Sequence, residues 1–309
     1  MILYTNKWMK SVAKELVKDV VCVEMNDPKF PEYLKEAKAI FGLGLKADKA
    51  FLDAAPNLKV IALTSVGYDG CDLNLIKERG IVLTNTPHVL NETTADLAFG
   101  LLMATARRIP EAQEWMKSGN WKGGVTEEIF GTDIHGKRLG LIGLGGIGQA
   151  IAKRAHFGFD MTISYHTRTK KNHLPFPATH MGLDELLKTS DFVMVILPLS
   201  SETKGLIGKR ELELMKKDAI LINAARGPIV DEAALYEALK NKEIRAAGLD
   251  VFEVEPLPMT SPLFELKNVV LTPHIGSATD ATRVGMVRVA AENLLAALRH
   301  ETPKNQVLK

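Results

Sequence analysis

Cysteine is nearly absent: Cys22 and Cys71 are the two in 309 residues, in separate segments and without metal-ligand spacing. That excludes a disulfide framework and a cysteine-based metal site. Both positions adjoin apolar stretches and read as buried free thiols of a reducing compartment. Long apolar runs are missing too. No stretch approaches the roughly eighteen residues that cross a bilayer, and the opening ten residues carry two lysines and no apolar core of a secretory leader. The chain is therefore expected in the cytosol, with no membrane partner. Charge of one sign is also lacking. The 39 basic and 37 acidic side chains leave a net charge of +2, which gives nucleic acid or an acidic membrane surface nothing to recognise. With 25% charged and 46% hydrophobic residues, the composition is that of a folded globular protein. At roughly 150 residues per domain the length predicts two domains.

What is present is a repeated alternation. The runs Val20–Glu24, Val60–Ser65, Leu139–Ile142, Met161–Tyr165, Phe192–Leu197, Ala219–Ala224 and Val269–Leu271 are continuous apolar blocks. Strands covered by helices on both faces read this way. Between them lie helical patterns such as Asp184–Lys188 and Glu232–Lys240, the latter with Asp231 as N-cap. Strand, helix and strand in alternation predict a doubly wound α/β fold. Two longer helices are expected over Thr93–Arg107 and Thr279–Arg299, with a polar stretch rich in Trp and Gly, Glu114–Gly124, after the first. If both act as hinges, the first domain is discontinuous.

The segment Gly143-Leu144-Gly145-Gly146-Ile147-Gly148 follows the Leu139–Ile142 strand and opens a helix expected over Gln149–Ala155. In that context the glycines predict a dinucleotide site. Gly143 permits the tight turn, Gly145 lets backbone approach a pyrophosphate, and Gly148 allows close packing of helix on strand. Amides and the helix macrodipole then face the phosphates. An NAD site usually carries a carboxylate at the end of the second strand to accept from the ribose 2′-hydroxyl. Here the run is His166-Thr167-Arg168-Thr169-Lys170-Lys171, with no carboxylate. Thr167 and Arg168 suit a 2′-phosphate instead, which predicts NADP(H) in preference to NAD(H); the other reading is a solvated basic loop.

Reducing a carbonyl by hydride also needs a cation to hold an acidic substrate, an acid for the developing alkoxide, and a group that keeps that acid protonated. Arg226 stands just beyond one apolar strand, Glu253 and Glu255 follow another with Asp250, and His274 follows Val269–Leu271. Taken singly, each reads as well as a surface or structural residue. Their shared place after strands argues for convergence.

The segments GLGGIG, INAARGPIVDEAAL, AAGLDVFEVEPL and LTPHIGSAT, with Ser65–Asp69 nearer the start, closely resemble the D-isomer-specific 2-hydroxyacid dehydrogenase family over nearly the whole chain. Within it the 119–138 segment, the 154–159 segment and the C-terminal ending look most like glyoxylate/hydroxypyruvate and 2-ketogluconate reductases. The resemblance implies two Rossmann/flavodoxin-like doubly wound domains with a cleft between them. One is a substrate-binding domain over 1–98 plus 286–309, the other an NADP-binding domain over 99–285. It implies Arg226, Glu255 and His274 as catalytic residues and Val66 and Gly67, with Arg226 and His274, around the substrate. Around the cofactor it implies Thr94, Gly145, Gly146, Ile147, Gly148, Thr167, Arg168, Thr169, Leu197, Pro198, Thr203, Ala224, Arg226, Asp250, His274 and Gly276. No metal is implied. Gly146 departs from relatives that carry arginine there, which removes one possible phosphate contact.

The implied activity is NADPH-dependent reduction of glyoxylate, hydroxypyruvate or 2-ketogluconate by a homodimer joined partly through the segment after Arg108. Two alternatives stand beside it: an NAD-linked dehydrogenase of D-lactate or phosphoglycerate type, and a nucleotide-sensing binding protein like the family's co-repressors. Trp115 and Trp121 either line a neighbouring subunit's pocket or merely pack.

Overall fold

The structure, a computed structural model, describes residues 1–308. Among these the strands form two wholly parallel sheets. The first contains β1 (Ile2–Tyr4), β2 (Val20–Cys22), β3 (Ala39–Gly42), β4 (Val60–Leu63) and β5 (Val82–Thr84), in the order β2-β1-β3-β4-β5. The second contains β6 (Arg138–Ile142), β7 (Thr162–His166), β8 (Thr179–His180), β9 (Phe192–Val195), β10 (Ile220–Asn223), β11 (Ala246–Leu249) and β12 (Val269–Leu271). Its order is β12-β11-β10-β9-β6-β7-β8. The chain runs outward from β6 in one direction, then returns to its other side at β9. That reversal is the topological switch point at which open α/β sheets take their ligands.

The continuous apolar blocks have a direct cause. In the first sheet Leu3, Ile40, Ile61 and Leu83 point into one core, and their neighbours Tyr4, Phe41, Val60 and Ala62 point into another. In the second, Leu139, Leu141 and Met194 face one core while Ile142, Val193 and Val195 face the other. Successive residues alternate faces, and both faces are covered, so the polar half of the usual strand pattern disappears.

The chain divides into two compact units, Met1–Leu90 with Ser277–Lys309, and Asn91–Gly276. The family resemblance sets the joins at 98/99 and 285/286. Those positions fall inside the continuous helices Asn91–Ala106 and Asp280–Leu298, whereas the units part near the starts of these helices. In the first unit, the Asp280–Leu298 helix packs Val287, Ala290, Ala291 and Leu294 against Tyr4, Phe41 and Val60. Its N-cap Thr279 accepts from the Thr282 amide, satisfying one of the orphan donors of the first turn. The tail then runs beside β5: Val307 N donates to Leu83 O at 2.8 Å, and Asn85 N to Asn305 O at 3.2 Å.

Glu232–Lys240 is a helix with the expected bounds, and Asp231 caps it by accepting from the Ala234 amide. The helix after the glycine loop runs Gly146–Phe159, starting three residues before the expected Gln149 because its first turn is built from the loop glycines themselves. Cys22 and Cys71 are free but half-buried, not buried; burial pushes both thiols up. Among the described residues no helix is long and apolar enough to cross a membrane, and no group of His, Cys, Asp and Glu is placed to hold a metal ion.

Candidate active site

The glycine loop leaves β6 at Ile142. Gly143 has φ +105°, and a Cβ there would collide with Ile196 O, so only glycine makes this turn. At Gly148 a Cβ would meet Gly143 O at 2.8 Å; here the helix packs too closely on the turn for any side chain. Gly145 is different. It caps the Gly146–Phe159 helix in extended backbone, and a Cβ there would meet nothing within 4 Å. No neighbour in the protein demands a glycine at that point. Bare backbone facing open space at the first turn of a helix leaves room for a phosphate against the exposed amides, so the residues present fit a dinucleotide. A Cβ at Gly146 would press on the Asn91 side-chain amide, and Ile147 packs half-buried against the core beneath.

The two strands flanking β6 supply the edges of this crevice. After β7, Thr167 Oγ1 donates to Thr169 O at 2.8 Å, and His180 Nε2 lies 2.8 Å from Thr167 O. After β9, Thr203 Oγ1 accepts from Ser200 N at 2.7 Å and donates to Pro198 O at 2.8 Å, closing the turn that follows Leu197. The run around Arg168 holds no carboxylate of its own. The structure brings one from the other flank, 34 positions away: Arg168 Nη1 donates to Glu202 Oε2 at 3.1 Å. A local window along the chain misses it because β7 and β9 approach each other only through the sheet order. Thr167 is likewise already engaged, with Thr169.

The catalytic candidates come from three loops at the ends of β10, β11 and β12. Asn223 Nδ2 donates to Arg226 O at 3.0 Å and Arg226 Nη1 to Ala225 O at 2.7 Å, fixing the Arg226 loop beside Ala224. The next residue, Gly227, lies against the backbone of Phe252 and Glu253, where a Cβ would overlap it. This contact ties the arginine loop to the acidic one. On the acidic loop Glu255 Oε1 accepts from Phe252 N at 3.0 Å, and Oε2 lies 2.7 Å from His274 Nδ1. Burial raises the Glu255 carboxyl, but the His274 and Phe252 hydrogen bonds and the charges of His274 and Arg226 outweigh it. Glu255 therefore stays ionised below its ordinary range. Glu253, the other acid of the run, turns away: it exchanges hydrogen bonds with Glu232 at the start of the Glu232–Lys240 helix.

His274 sits at φ +52°, a left-handed conformation costing a non-glycine residue about 1–3 kcal/mol. What holds it there is Asp250, only 2% exposed. Its Oδ1 accepts from Thr272 Oγ1 at 2.7 Å and Ile275 N at 2.9 Å, and its Oδ2 from Gly276 N at 3.0 Å. Burial pushes the Asp250 carboxyl up, against those bonds and the His274 charge. Thr94, on the Asn91–Ala106 helix, closes the other side: a Cβ at Gly276 would touch its methyl group at 3.3 Å. Asp250 is thus the brace of the histidine loop, a role its position after a strand does not reveal. His274 Nε2 has no hydrogen-bond partner among the described residues, and the side chain is 46% exposed.

Val66 and Gly67 belong to the other unit. They follow β4 in a loop held by Ser65 Oγ donating to Gly67 O at 2.8 Å and Asn85 Nδ2 donating to Val66 O at 2.8 Å. Trp115 is half-exposed and Trp121 59% exposed.

Comparison with known proteins bears on this site. A family model described as D-isomer specific 2-hydroxyacid dehydrogenase, NAD binding domain, matches residues 99–276. Glyoxylate/hydroxypyruvate reductase B of Erwinia tasmaniensis is 49% identical over 284 residues, 91% of this chain and 88% of its own length. Among solved structures, a protein of Thermus thermophilus superposes with a TM-score of 0.92 at 42% identity over 99% of both chains. The NADPH-dependent glyoxylate/hydroxypyruvate reductase of Sinorhizobium meliloti, solved with NADP and malonate, gives 0.88 at 36% identity over 99% of this chain and 96% of that one.

Proposed function

This chain belongs to the D-isomer specific 2-hydroxyacid dehydrogenase family and is an oxidoreductase acting on a CH–OH group; from that premise we propose that it reduces glyoxylate and hydroxypyruvate with NADPH. The observation that carries the reading is the 2.7 Å contact of His274 Nδ1 with Glu255, whose carboxyl the His274 hydrogen bond and the charge of Arg226 help to hold below its ordinary range. Bound NADPH would supply the hydride. Glu255 orients the imidazole through Nδ1, which leaves Nε2 as the atom that gives a proton to the substrate oxygen. Arg226 holds the acid group of the substrate and polarises the carbonyl next to it. Val66 and Gly67 are proposed to receive the substrate carboxylate. Thr94, Ala224, Asp250 and Gly276 flank the nicotinamide end, while Gly145, Gly146, Ile147, Gly148, Leu197, Pro198 and Thr203 flank the phosphates and adenosine. Arg168, with Thr167 and Thr169, is assigned to the 2′-phosphate.

We further propose a homodimer. The segment after Arg108 exposes Ile109, Met116, Trp121, Val125 and Phe130 within 22 residues, an apolar surface of the kind that marks an interface. The root of this segment is fixed, since Arg108 grips Glu111 through two hydrogen bonds and donates to Glu128 O. These features support assembly with a second copy of the chain.

The deciding experiment is a kinetic panel of glyoxylate, hydroxypyruvate, pyruvate and 2-ketogluconate with NADPH and NADH, on wild type, Arg226→Ala and His274→Ala. Both variants are expected to lose at least about a hundredfold in turnover, the scale of general acid catalysis, and to leave NADPH binding largely intact. Unchanged turnover overturns the roles; a large NADH preference overturns the assignment of Arg168.

A further inference from the structure

We propose that Glu202 sets cofactor specificity by competing with the 2′-phosphate of NADPH for Arg168, so that the arginine delivers only part of the preference it carries. The inference rests on the NADPH reading above and goes beyond it by naming the residue that opposes it.

The sheet order places the pair. β6 lies between β7 and β9, and the glycine loop springs from its end, with Gly143 N donating to His166 O at 3.0 Å and Ile196 N to Ile142 O at 2.9 Å. The segments leaving β7 and β9 are therefore the two banks of the switch-point crevice, the place where the adenosine half of a dinucleotide lies in such sheets. Arg168 stands on one bank, Glu202 on the other, and their 3.1 Å contact spans the gap. Both banks are held from behind. Thr203 closes the turn that carries Glu202, with Lys204 N donating to Ser200 O at 3.0 Å, and the Thr167–Thr169 and His180 bonds hold the turn that carries Arg168.

Neither charge has another duty in the fold: Arg168 and Glu202 have no other ion-pair partner among the described residues, with side chains 88% and 68% exposed. An exposed pair of this kind contributes little to stability, so its placement has consequences mainly for whatever enters the crevice. A dianionic 2′-phosphate reaching Arg168 must displace the carboxylate or sit beside it with like charge. A ribose 2′-hydroxyl meets the reverse situation, because a carboxylate on the far bank is an acceptor for it. One side chain thus pushes the two cofactors in opposite directions.

The test measures dissociation constants of NADPH and NADH by nucleotide fluorescence, and of 2′,5′-ADP by thermal shift, for wild type, Glu202→Gln, Arg168→Gln and the double variant. Glu202→Gln is expected to tighten NADPH and 2′,5′-ADP about three- to fivefold, the scale of an exposed ion pair, and to leave NADH unchanged or weaker. The gain should vanish in the Arg168→Gln background, since the competition runs through that guanidinium, and should shrink in high salt. An NADPH/NADH ratio within twofold of wild type overturns the proposal, and so does an equal gain with and without Arg168. If Arg168→Gln weakens NADPH while Glu202→Gln does nothing, the NADPH reading survives and this proposal fails. If Arg168→Gln also does nothing, both fail.

Discussion

The two ends of the second sheet's ligand edge are held in opposite ways. At the β11–β12 end, the histidine loop is over-determined: a buried carboxylate takes three hydrogen bonds from Thr272, Ile275 and Gly276, a strained backbone is fixed, and Gly227 locks the arginine loop onto the acidic one. At the β7–β9 end, two long side chains meet across a gap in solvent. Geometry that must hold within tenths of an ångström is built from buried bonds in a low dielectric. In the proposed reading, the choice between two cofactors that differ by one phosphate falls to a pair that salt and competing anions can loosen. Catalytic placement and cofactor choice are therefore separable by mutation.

The largest way to test that separation is Glu255→Gln. Turnover should fall by about ten- to a hundredfold as the imidazole loses its charged partner, with KM for NADPH unchanged; a parallel loss of NADPH affinity would show that the two ends are coupled. Next in size is Asp250→Asn, which puts an amide donor among donors and leaves one acceptor where three bonds were accepted. A cost of about 1.5–3 kcal/mol should lower Tm by roughly 3–12 °C in calorimetry, whereas Arg168→Gln should leave Tm within about 1 °C. The smallest effect is in the pH dependence. The Glu255 carboxyl is held below its ordinary range in the folded chain, so its contribution is fully present above the unfolded value of about 4.3. It disappears as pH falls through the lowered folded value. The Tm gap between wild type and Glu255→Gln should accordingly close on acidification, and a gap that widens instead would reverse the assigned direction.

Much of the fold is legible in the chain because burial on both sheet faces writes itself as unbroken apolar runs, and the glycine loop is legible because sterics leave no other residue type at Gly143 and Gly148. The strands Ile2–Tyr4 and Val82–Thr84 do not stand out in the same way; their conformation is settled by pairing with β3 and β4, which is non-local. The site divides in the same manner. Arg226, Glu255 and His274 stand out through their place after strands and through family resemblance, but nothing linear links Asp250 to the amides of Ile275 and Gly276, or Glu202 to Arg168. Those partners are set by which strands lie side by side. The bounds of the two units are not legible for a related reason: the Asn91–Ala106 and Asp280–Leu298 helices each belong whole to one unit, and nothing in the residue pattern marks their first turns as the place where the chain passes from one unit to the other.

The first sheet begins at Ile2, yet the Asp280–Leu298 helix and the strand-like tail to Val307 complete it. On a ribosome working from the N-terminus, that unit is begun first and finished last. Its Tyr4, Phe41 and Val60 face has the cover of Ala13 and Val17 early, but lacks that of Val287, Ala290, Ala291 and Leu294 until the Asp280–Leu298 helix emerges. The intervening 186-residue stretch, Asn91–Gly276, is synthesised whole before then. A nascent chain whose Asn91–Gly276 stretch has cleared the ribosome while the Asp280–Leu298 helix has not should present a finished nucleotide unit and a part-covered apolar face on the other, a natural target for a holding chaperone.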